Sequence, residues 1–199
     1  RVLAMDVRPP AGNIGAKVTF LQHDVSVPFP RVFASHEIDT VVHLAYVLKQ
    51  GRDREDNRRI NVGGTTNLLG ACAEAAVRKI IYLSSTSVYG AHPDNPPMLA
   101  ESAPLRPVKG FQYGEDKTAA EGLVEGFLSD RPDVTATVLR CCPVMGPNAD
   151  NHIARAFLKP FLVAVRGYDP PLQLIHLEDL TDILTLCTLN GTPALYNVA

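Results

Sequence analysis

The chain has 199 residues, 46% of them hydrophobic and 20% charged, which suits a globular protein that buries a core of its own. Its formal net charge is −2 and it carries no long basic stripe, which argues against a protein that neutralises nucleic-acid phosphates. We therefore expect a small-molecule partner and no nucleic acid.

Apolar runs and cysteines argue against two further classes. No apolar run reaches the ~18 residues needed to span a bilayer and no signal peptide opens the chain, so we expect a cytoplasmic protein without membrane association. The cysteines have neither the spacing of a zinc site nor that of a disulfide framework, so we expect reduced, structural thiols and no metal site. They are Cys72, Cys141, Cys142 and Cys187.

Short apolar runs alternate with longer segments of helical period, a pattern typical of a parallel sheet covered by crossover helices. The sequence therefore predicts an α/β fold. A stretch with five prolines is predicted to be loop, because proline removes a backbone donor and breaks helices. In chain order we predict strands at 2–5, 18–21 and 40–45, a helix at 54–74, a strand at 79–84, the loop at 91–107, a helix at 113–128, a strand at 135–139, and helices at 153–165 and 179–189.

Charges of alternating sign occupy residues 52–59, at the start of the predicted helix 54–74. Such a run is typical of a helix face in contact with water. A second interpretation is that its arginines grip a phosphate of a substrate.

Tyr113-Gly-Glu-Asp-Lys117 places a phenol and an amine four residues apart, on one face of a predicted helix. A nearby cation lowers the pKa of tyrosine from about 10, and a unit charge at ~4 Å contributes up to about 4 kcal/mol before desolvation. Tyr113 could then act as a base near neutral pH. The alternative is a pair of residues on a surface helix.

Hydroxyl side chains follow the predicted strand 79–84, in Ser84-Ser85-Thr86-Ser87-Val88-Tyr89-Gly90. Doubly wound sheets bind ligands at the carboxyl ends of their parallel strands. These hydroxyls are therefore expected to lie at a ligand site.

With Ser-Ser-x-x-Val-Tyr-Gly followed by Tyr-x-x-x-Lys, the chain resembles the extended short-chain dehydrogenase/reductases, the NAD-dependent epimerases and dehydratases related to UDP-galactose 4-epimerase. The resemblance implies a Rossmann-like, doubly wound parallel sheet with helices on both faces. It also implies a homodimer that pairs through the helices predicted at 54–74 and 113–128. Further matching segments are Asp6, His23-Asp24-Val25, Val42-His43-Leu44-Ala45, Asn61-Val62-x-Gly64-Thr65, Arg140 with Gly146-Pro147, and Ile175-His176-Leu177-Glu178-Asp179.

The resemblance assigns three catalytic roles. Tyr113 would exchange a proton with a substrate hydroxyl, and Lys117 would lower the tyrosine pKa and contact the nicotinamide ribose. Ser85 would hold the substrate oxygen. The neighbouring hydroxyls leave the register open by one residue.

NAD is the implied cofactor, because Asp6 would accept hydrogen bonds from the adenosine ribose and would repel the extra phosphate of NADP. Arg8 beside it weakens that preference, and Asp6 could instead cap a turn. Turn chemistry and loop packing are the alternatives for several of the other contacts, and His43 is expected to pack in the core. The further implied cofactor contacts are Asp24 and Val25 at the adenine, Leu44 and Ala45 at the pyrophosphate and ribose, Asn61 behind the loop, Pro143 and Val144 at the nicotinamide, and Ser84, Tyr113 and Lys117.

The dehydratases of this family carry an Asp-Glu pair where this chain has Thr86 and Ser87, so elimination of water is disfavoured. We expect an epimerase or dehydrogenase acting on a hydroxyl of a nucleotide-sugar-type substrate. The alternatives are a reductase of a non-sugar carbonyl compound and a non-catalytic protein that senses the cofactor.

The family's opening strand and glycine-rich turn are missing, since Gly12-Asn-Ile-Gly15 precedes a strand instead of a helix. In the strand order 3-2-1-4-5-6 that strand lies between two others, so its removal leaves a gap of roughly 9 to 10 Å. We expect about 30 further residues before Arg1, on the pattern of a first βα unit. The dinucleotide-binding domain is predicted at 1–145, and 146–199 is predicted to contribute to a substrate domain and return to the sheet.

Overall fold

The computed structural model describes residues 1–47, 54–147, 149–161, 166–167, 171–190 and 193–199. It contains one π-helical turn, Arg59–Gly63, and one 3₁₀ turn, Thr86–Tyr89, among these residues. The strands are β1 Val2–Asp6, β2 Val18–Gln22, β3 Thr40–His43, β4 Lys79–Ser85, β5 Thr135–Cys141, β6 Val144–Met145, β7 Ile175–His176 and β8 Ala194–Val198. The helices are α1 Val32–Ser35, α2 Arg54–Arg58, α3 Gly64–Ala73, α4 Gln112–Asp130, α5 His152–Phe157 and α6 Leu177–Asn190.

Parallel strands form the centre of the fold. One sheet has the order β3-β4-β5-β8, a second pairs β1 with β2, and β6 pairs with β7. Ser85 is level with Cys141, and Cys141 is level with Val198, so three carboxyl strand ends meet at one edge. The predicted α/β fold with a parallel sheet is confirmed.

β1 and β3 do not pair with each other within the described residues, and each has a strand partner on one side only. A cleft of about 1770 Å³ lies between them, lined by residues of both strands. Val2 and Val42 are 56% and 37% exposed at its walls. Sequence analysis expected open space between these two strands.

The core lies on both faces of the larger sheet. Ile80 and Ile81 follow one another along β4 and both have no exposed surface. Because successive side chains of a strand point to opposite faces, β4 is covered on both sides. Ile80 belongs to the cluster with Leu68 of α3 and Val124 of α4, and Ile81 to the cluster with Leu180 and Cys187 of α6.

Some element boundaries differ from the prediction. The helix predicted at 54–74 contains the π-helical turn, and the helix predicted at 153–165 is observed only as α5. Residues 158–161 are not helical, because Pro160 interrupts the helix hydrogen bonds; residues 162–165 lie outside the described part. The loop at 91–107 contains neither helix nor strand, as predicted. β8 was not predicted as a strand.

The four cysteines are buried and free of disulfide bonds. None of the described helices is both long and apolar enough to cross a membrane. In the same part of the chain, no three His, Cys, Asp or Glu residues are gathered so as to hold a metal ion.

Candidate active site

The start of α4 lies against the carboxyl end of β4. The side chain of Tyr113, the second residue of α4, lies near that of Ser85, the last residue of β4, and Ser85 lowers the pKa of the tyrosine. A Cβ atom on Gly114 would lie 3.0 Å from the carbonyl oxygen of Ser87. The missing side chain of Gly114 therefore allows the helix to approach the strand end, which brings the phenol to the hydroxyl.

Lys117 lies one helical turn beyond Tyr113 and is only 5% exposed. Its Nζ donates a hydrogen bond to the carbonyl oxygen of Leu83 at 2.6 Å. The same nitrogen is 3.8 Å from the centre of the Tyr46 ring and 5.1 Å from that of Tyr82. A main-chain carbonyl and two aromatic faces therefore surround the amine.

Burial dominates the electrostatics of the pair. It lowers the pKa of Lys117 to about 7, while the charge of Glu121 acts in the opposite direction. Burial also raises the pKa of Tyr113, and the Ser85 hydrogen bond offsets part of that rise. Sequence analysis expected Lys117 to lower the tyrosine pKa; in the structure the amine is directed at Leu83 and burial is the larger effect.

Cys141 lies close enough to interact electrostatically with both Tyr113 and Lys117. Burial raises the pKa of its thiol to about 12, so the thiol is neutral at physiological pH. Sequence analysis treated Cys141 as structural. Its place at this edge follows from the register of β5 with β4, which the spacing of cysteines along the chain does not reveal.

Asn61, in the π-helical turn, holds the loop that follows β3. Its side-chain oxygen accepts the N–H of Val47 at 2.8 Å, and its amide nitrogen donates to the Val47 carbonyl at 3.4 Å. The same nitrogen donates to Asp116 Oδ2 at 3.2 Å. Asn61 thus holds this loop, and its place beside a cofactor stays a prediction.

Asp116 connects that loop to the charged run at the start of α2. It is fully buried and lies 3.0 Å from Nη1 of Arg58, while Arg54 reaches Glu115 at 3.4 Å. The arginine side chains are more than half exposed, as expected of a solvated face, yet they bind acids beside Lys117. Sequence analysis missed Asp116. We call Val47, Asn61, Arg58 and Asp116 the loop-side cluster.

His43 packs beneath this cluster and is 3% exposed. Its Nε2 lies 2.9 Å from the hydroxyl of Thr65, which donates its own proton to the Asn61 carbonyl at 2.7 Å. Nε2 must therefore carry the ring proton. Burial, followed by the charge of Lys117, lowers the pKa of His43 to about 3, so the ring is neutral. This agrees with a packed core histidine.

A second set of polar groups lies on the other side of Lys117. Arg140 binds Glu121 through Nη2 at 2.8 Å and through Nε at 3.2 Å, and Ser84 donates to the same carboxylate. The Ser84 hydroxyl is bound inside this network, and the cofactor contact that sequence analysis assigned to Ser84 stays a prediction. Glu121 follows Lys117 by one turn, and this spacing is the signal that could have identified it.

This network extends to the loop at 91–107. Arg140 Nη1 donates to the Tyr89 hydroxyl at 2.8 Å, which donates to Asn197 Oδ1 at 2.6 Å. The backbone N–H of Asn197 donates to Glu101 at 2.8 Å. The strand-side network, which comprises Ser84, Tyr89, Glu101, Glu121, Arg140 and Asn197, thereby joins β4, β5, β8 and the proline-rich loop.

The residues assigned to the adenine end line the cleft between β1 and β3. Asp6 accepts the N–H of Arg8 at 2.8 Å, and Asp24 accepts the N–H and hydroxyl of Ser26 at 2.9 and 2.7 Å. The hydrogen bonds from Ser26 lower the pKa of Asp24. Both carboxylates thus stabilise local turns, the alternative that the sequence left open. Asp6, Asp24, Val25, Leu44 and Ala45 line the same cleft.

Gly64 connects the adenine end to the helix that carries Asn61. A Cβ atom at this position would lie 2.6 Å from Cγ1 of Val25, and Asn67 donates to the Val25 carbonyl at 3.0 Å. Glycine is therefore required for this close packing.

Pro143 and Val144 follow β5 at the same edge of the sheet, and both are half-buried. The Pro143 carbonyl accepts the N–H of Ile175 at 3.2 Å, and Val144 pairs with Ile175 in the short β6–β7 sheet. They are not among the residues that line the cleft. Their assigned contact with nicotinamide stays a prediction.

The whole chain, residues 1–199, matches a family of known proteins. The chain belongs to the NAD dependent epimerase/dehydratase family. The resemblance found in the sequence is confirmed at the level of the family. The family is one of enzymes, and its description names NAD, the cofactor that the sequence predicted.

Two curated relatives and one solved structure are 28 to 30% identical to this chain over the aligned residues. An uncharacterised protein of Mycobacterium tuberculosis is 30% identical over all of the chain and 54% of its own length. A UDP-glucose 4-epimerase of Yersinia enterocolitica is 30% identical over 84% of the chain and 57% of its own length. The solved structure of MoeE5 with UDP-glucuronic acid and NAD is 28% identical, with a TM-score of 0.79, 99% of the chain covered and 67% of its own. The chain thus spans a little over half the length of the curated relatives.

Proposed function

We propose that this chain forms the cofactor-binding and catalytic part of an NAD-dependent enzyme that epimerises or oxidises a hydroxyl of a nucleotide sugar. The observation that carries the proposal is the placement of Tyr113 beside Ser85 at the sheet edge, with Lys117 one turn further along α4 and bound to the Leu83 carbonyl of β4. The named relative that acts on UDP-glucose and the MoeE5 complex with UDP-glucuronic acid support the substrate class.

The residues around the cleft fit NAD. Asp6 offers a carboxylate to ribose hydroxyls, and the exposed Leu44 and Ala45 leave the backbone after β3 accessible. Asn61 fixes that backbone through Val47. When bound, NAD supplies a hydride acceptor that can later return the hydride.

Three side chains of this protein handle the proton. Ser85 holds the substrate hydroxyl, and Tyr113 accepts its proton as the hydride leaves the same carbon. Lys117, one helical turn from the phenol, would contact the nicotinamide ribose, as the resemblance implies. Thr86 and Ser87 offer hydroxyls in place of an acid–base pair of carboxylates, so no water is eliminated from the substrate.

The test is Tyr113→Phe in the natural protein, assayed with NAD and a set of UDP-sugars for isomerised sugar or reduced cofactor. We expect turnover to fall by about 10² to 10⁴-fold, because the proton acceptor is removed. Cofactor binding, measured by calorimetry, should survive. Tyr196→Phe, which removes a partly exposed phenol from β8, is the control. Unchanged turnover in Tyr113→Phe would contradict the mechanism.

Homodimerisation through α2, α3 and α4 and the preference for NAD over NADP come from the resemblance, and the cytoplasmic location comes from the apolar pattern of the sequence. They stay predictions for this protein. Size-exclusion chromatography and parallel titrations with the two cofactors test two of them.

A further inference from the structure

Tyr46, in the loop after β3, contacts both members of the Tyr113–Lys117 pair. Its ring centre is 3.8 Å from Lys117 Nζ and 5.4 Å from the Tyr113 ring, which it meets edge-on at 83°. Its hydroxyl donates to the backbone carbonyl of Tyr113 at 3.3 Å. One side chain thus fills the space beside the helical turn that separates the phenol from the amine.

We propose that Tyr46 is a positioning residue whose aromatic face binds the ammonium of Lys117 and keeps it beside the Tyr113 phenol. The inference rests on the proposed function, because the position of Lys117 matters for turnover only if the pair carries the proton transfer. It assigns a role to a residue that sequence analysis did not select.

The surroundings of Nζ explain why an aromatic face is needed. Burial disfavours the charged amine, and the Leu83 carbonyl supplies one acceptor. Glu121 carries a favourable charge, but Arg140 already binds both of its carboxylate oxygens. The negative face of an aromatic ring attracts a cation, and more strongly so when water is excluded. The face of the Tyr46 ring is therefore the remaining nearby group that can stabilise the charge on Lys117 Nζ.

Titratable groups reach Lys117 from each packed element. β3 contributes His43, which is neutral, and β5 contributes the neutral thiol of Cys141. The loop after β3 contributes Tyr46 and β4 contributes Tyr82. Helix α4 contributes Tyr113, Asp116 and Glu121. The hydroxyl of Tyr82 is buried without a hydrogen-bond partner among the described residues. Tyr82 is the more distant ring, at 5.1 Å, and its contact with the charge is accordingly weaker.

The position of Tyr46 is fixed from the same helix. Val47, the next residue, has both backbone groups bound by Asn61, and Asn61 is bound by Asp116. Asp116 directly precedes Lys117 in the sequence. The ring and the amine that it contacts are thus held by one continuous set of bonds.

Two substitutions separate the ring from its hydroxyl. Tyr46→Phe keeps the aromatic face, whereas Tyr46→Leu keeps apolar bulk without it. In Tyr46→Leu the charged amine loses a stabilising contact, so Lys117 should lose its proton about one pH unit lower. On the alkaline side, kcat/KM should then fall about tenfold, since the charged fraction falls tenfold per unit. Tyr46→Phe should stay within about twofold of the wild type.

Lysine labelled with ¹³C at Cε reports on the amine without substrate or cofactor. The Lys117 signal is assigned by its loss in Lys117→Met and followed through a pH titration. A methylene beside an aromatic face is shifted upfield, and this shift should be present in the wild type and Tyr46→Phe and absent in Tyr46→Leu. Tyr196→Leu, in β8, is the matched control, and thermal melting checks that each variant folds.

The outcomes are distinguishable. If Tyr46→Leu folds and leaves both the Lys117 shift and its titration unchanged, the inference is overturned, whatever the activity. If Tyr113→Phe keeps full turnover, the proposed function fails, and the labelled lysine still decides whether Tyr46 binds the amine. A lowered Lys117 titration with an unchanged pH profile of kcat/KM overturns the role in turnover.

Discussion

Lys117 lies between two sets of buried charges that are closed to water to different degrees. In the strand-side network, the side chains of Arg140 and Glu121 are 6% and 8% exposed. In the loop-side cluster Asp116 has no exposed surface, but the Arg58 side chain that binds it is 57% exposed. The first joins the ends of three strands, and the second holds a loop at the edge of the cleft.

The difference has a physical meaning. A charge pair that is closed to water stabilises the fold only while both partners are present, because each alone is costly to bury. A pair with one partner in water can lose that partner at a smaller cost, since the exposed ion is rehydrated. The strand ends of the sheet are thus joined by a closed pair, and the loop after β3 is held by an open one.

The largest expected effect is in the strand-side network. Glu121→Ala leaves Arg140 buried without its carboxylate, and we expect a loss of about 3 to 5 kcal/mol in the free energy of unfolding. Urea titration measures it. The double variant Glu121→Leu with Arg140→Met should recover most of this loss, since no charge is left unpaired. If the free energy of unfolding of Glu121→Ala is within about 1 kcal/mol of the wild-type value, the strand-side network is not closed to water.

A smaller effect is expected in the loop-side cluster. Asp116→Asn keeps the shape and removes the charge, and we expect a loss of about 1 to 2 kcal/mol together with weaker binding of NAD. The affinity should fall because Asn61, which holds the backbone of Val47, loses a charged partner. Arg54→Gln, which breaks the exposed pair with Glu115, is the control and should stay within about 0.5 kcal/mol. Equal losses in the two variants would remove the distinction.

The smallest effect is the pH dependence from His43. Its pKa is about 3 in the folded protein and 6.5 in the reference state, so the unfolded chain binds the proton first as the pH falls. The stability is full above pH 6.5 and declines toward pH 3. Between about pH 7.5 and 6 we expect a loss of about 0.8 kcal/mol that His43→Gln does not show. Parallel stability curves for the two proteins would contradict the burial of a neutral ring.

The sequence predicted the fold well where periodicity carried the information. β4 reads as a continuous apolar run because both of its faces are covered, and α4 was predicted to within two residues at each end. β8 was missed because five residues at the end of the chain carry too little pattern to separate strand from coil. The π-helical turn is also invisible to periodicity, since its extra width depends on what Asn61 contacts.

The site was predicted in part. The Tyr-x-x-x-Lys spacing and the hydroxyls after β4 led to Tyr113, Lys117 and Ser85, which the structure brings together around the start of α4. Tyr46 and Asp116 were missed, because their contacts join segments far apart in the chain. The pKa of Tyr113 could not be predicted from spacing, because the depth of burial depends on the packed fold.

Gly64 has a mechanical consequence. With no room for even a methyl group against Val25, the loop at Asp24 and the helix behind it cannot slide past one another. The same rigid piece carries Asn61, and through it the segment that bears Tyr46. A displacement of the loop at Val25 is therefore expected to be transmitted to the segment beside the Lys117 amine.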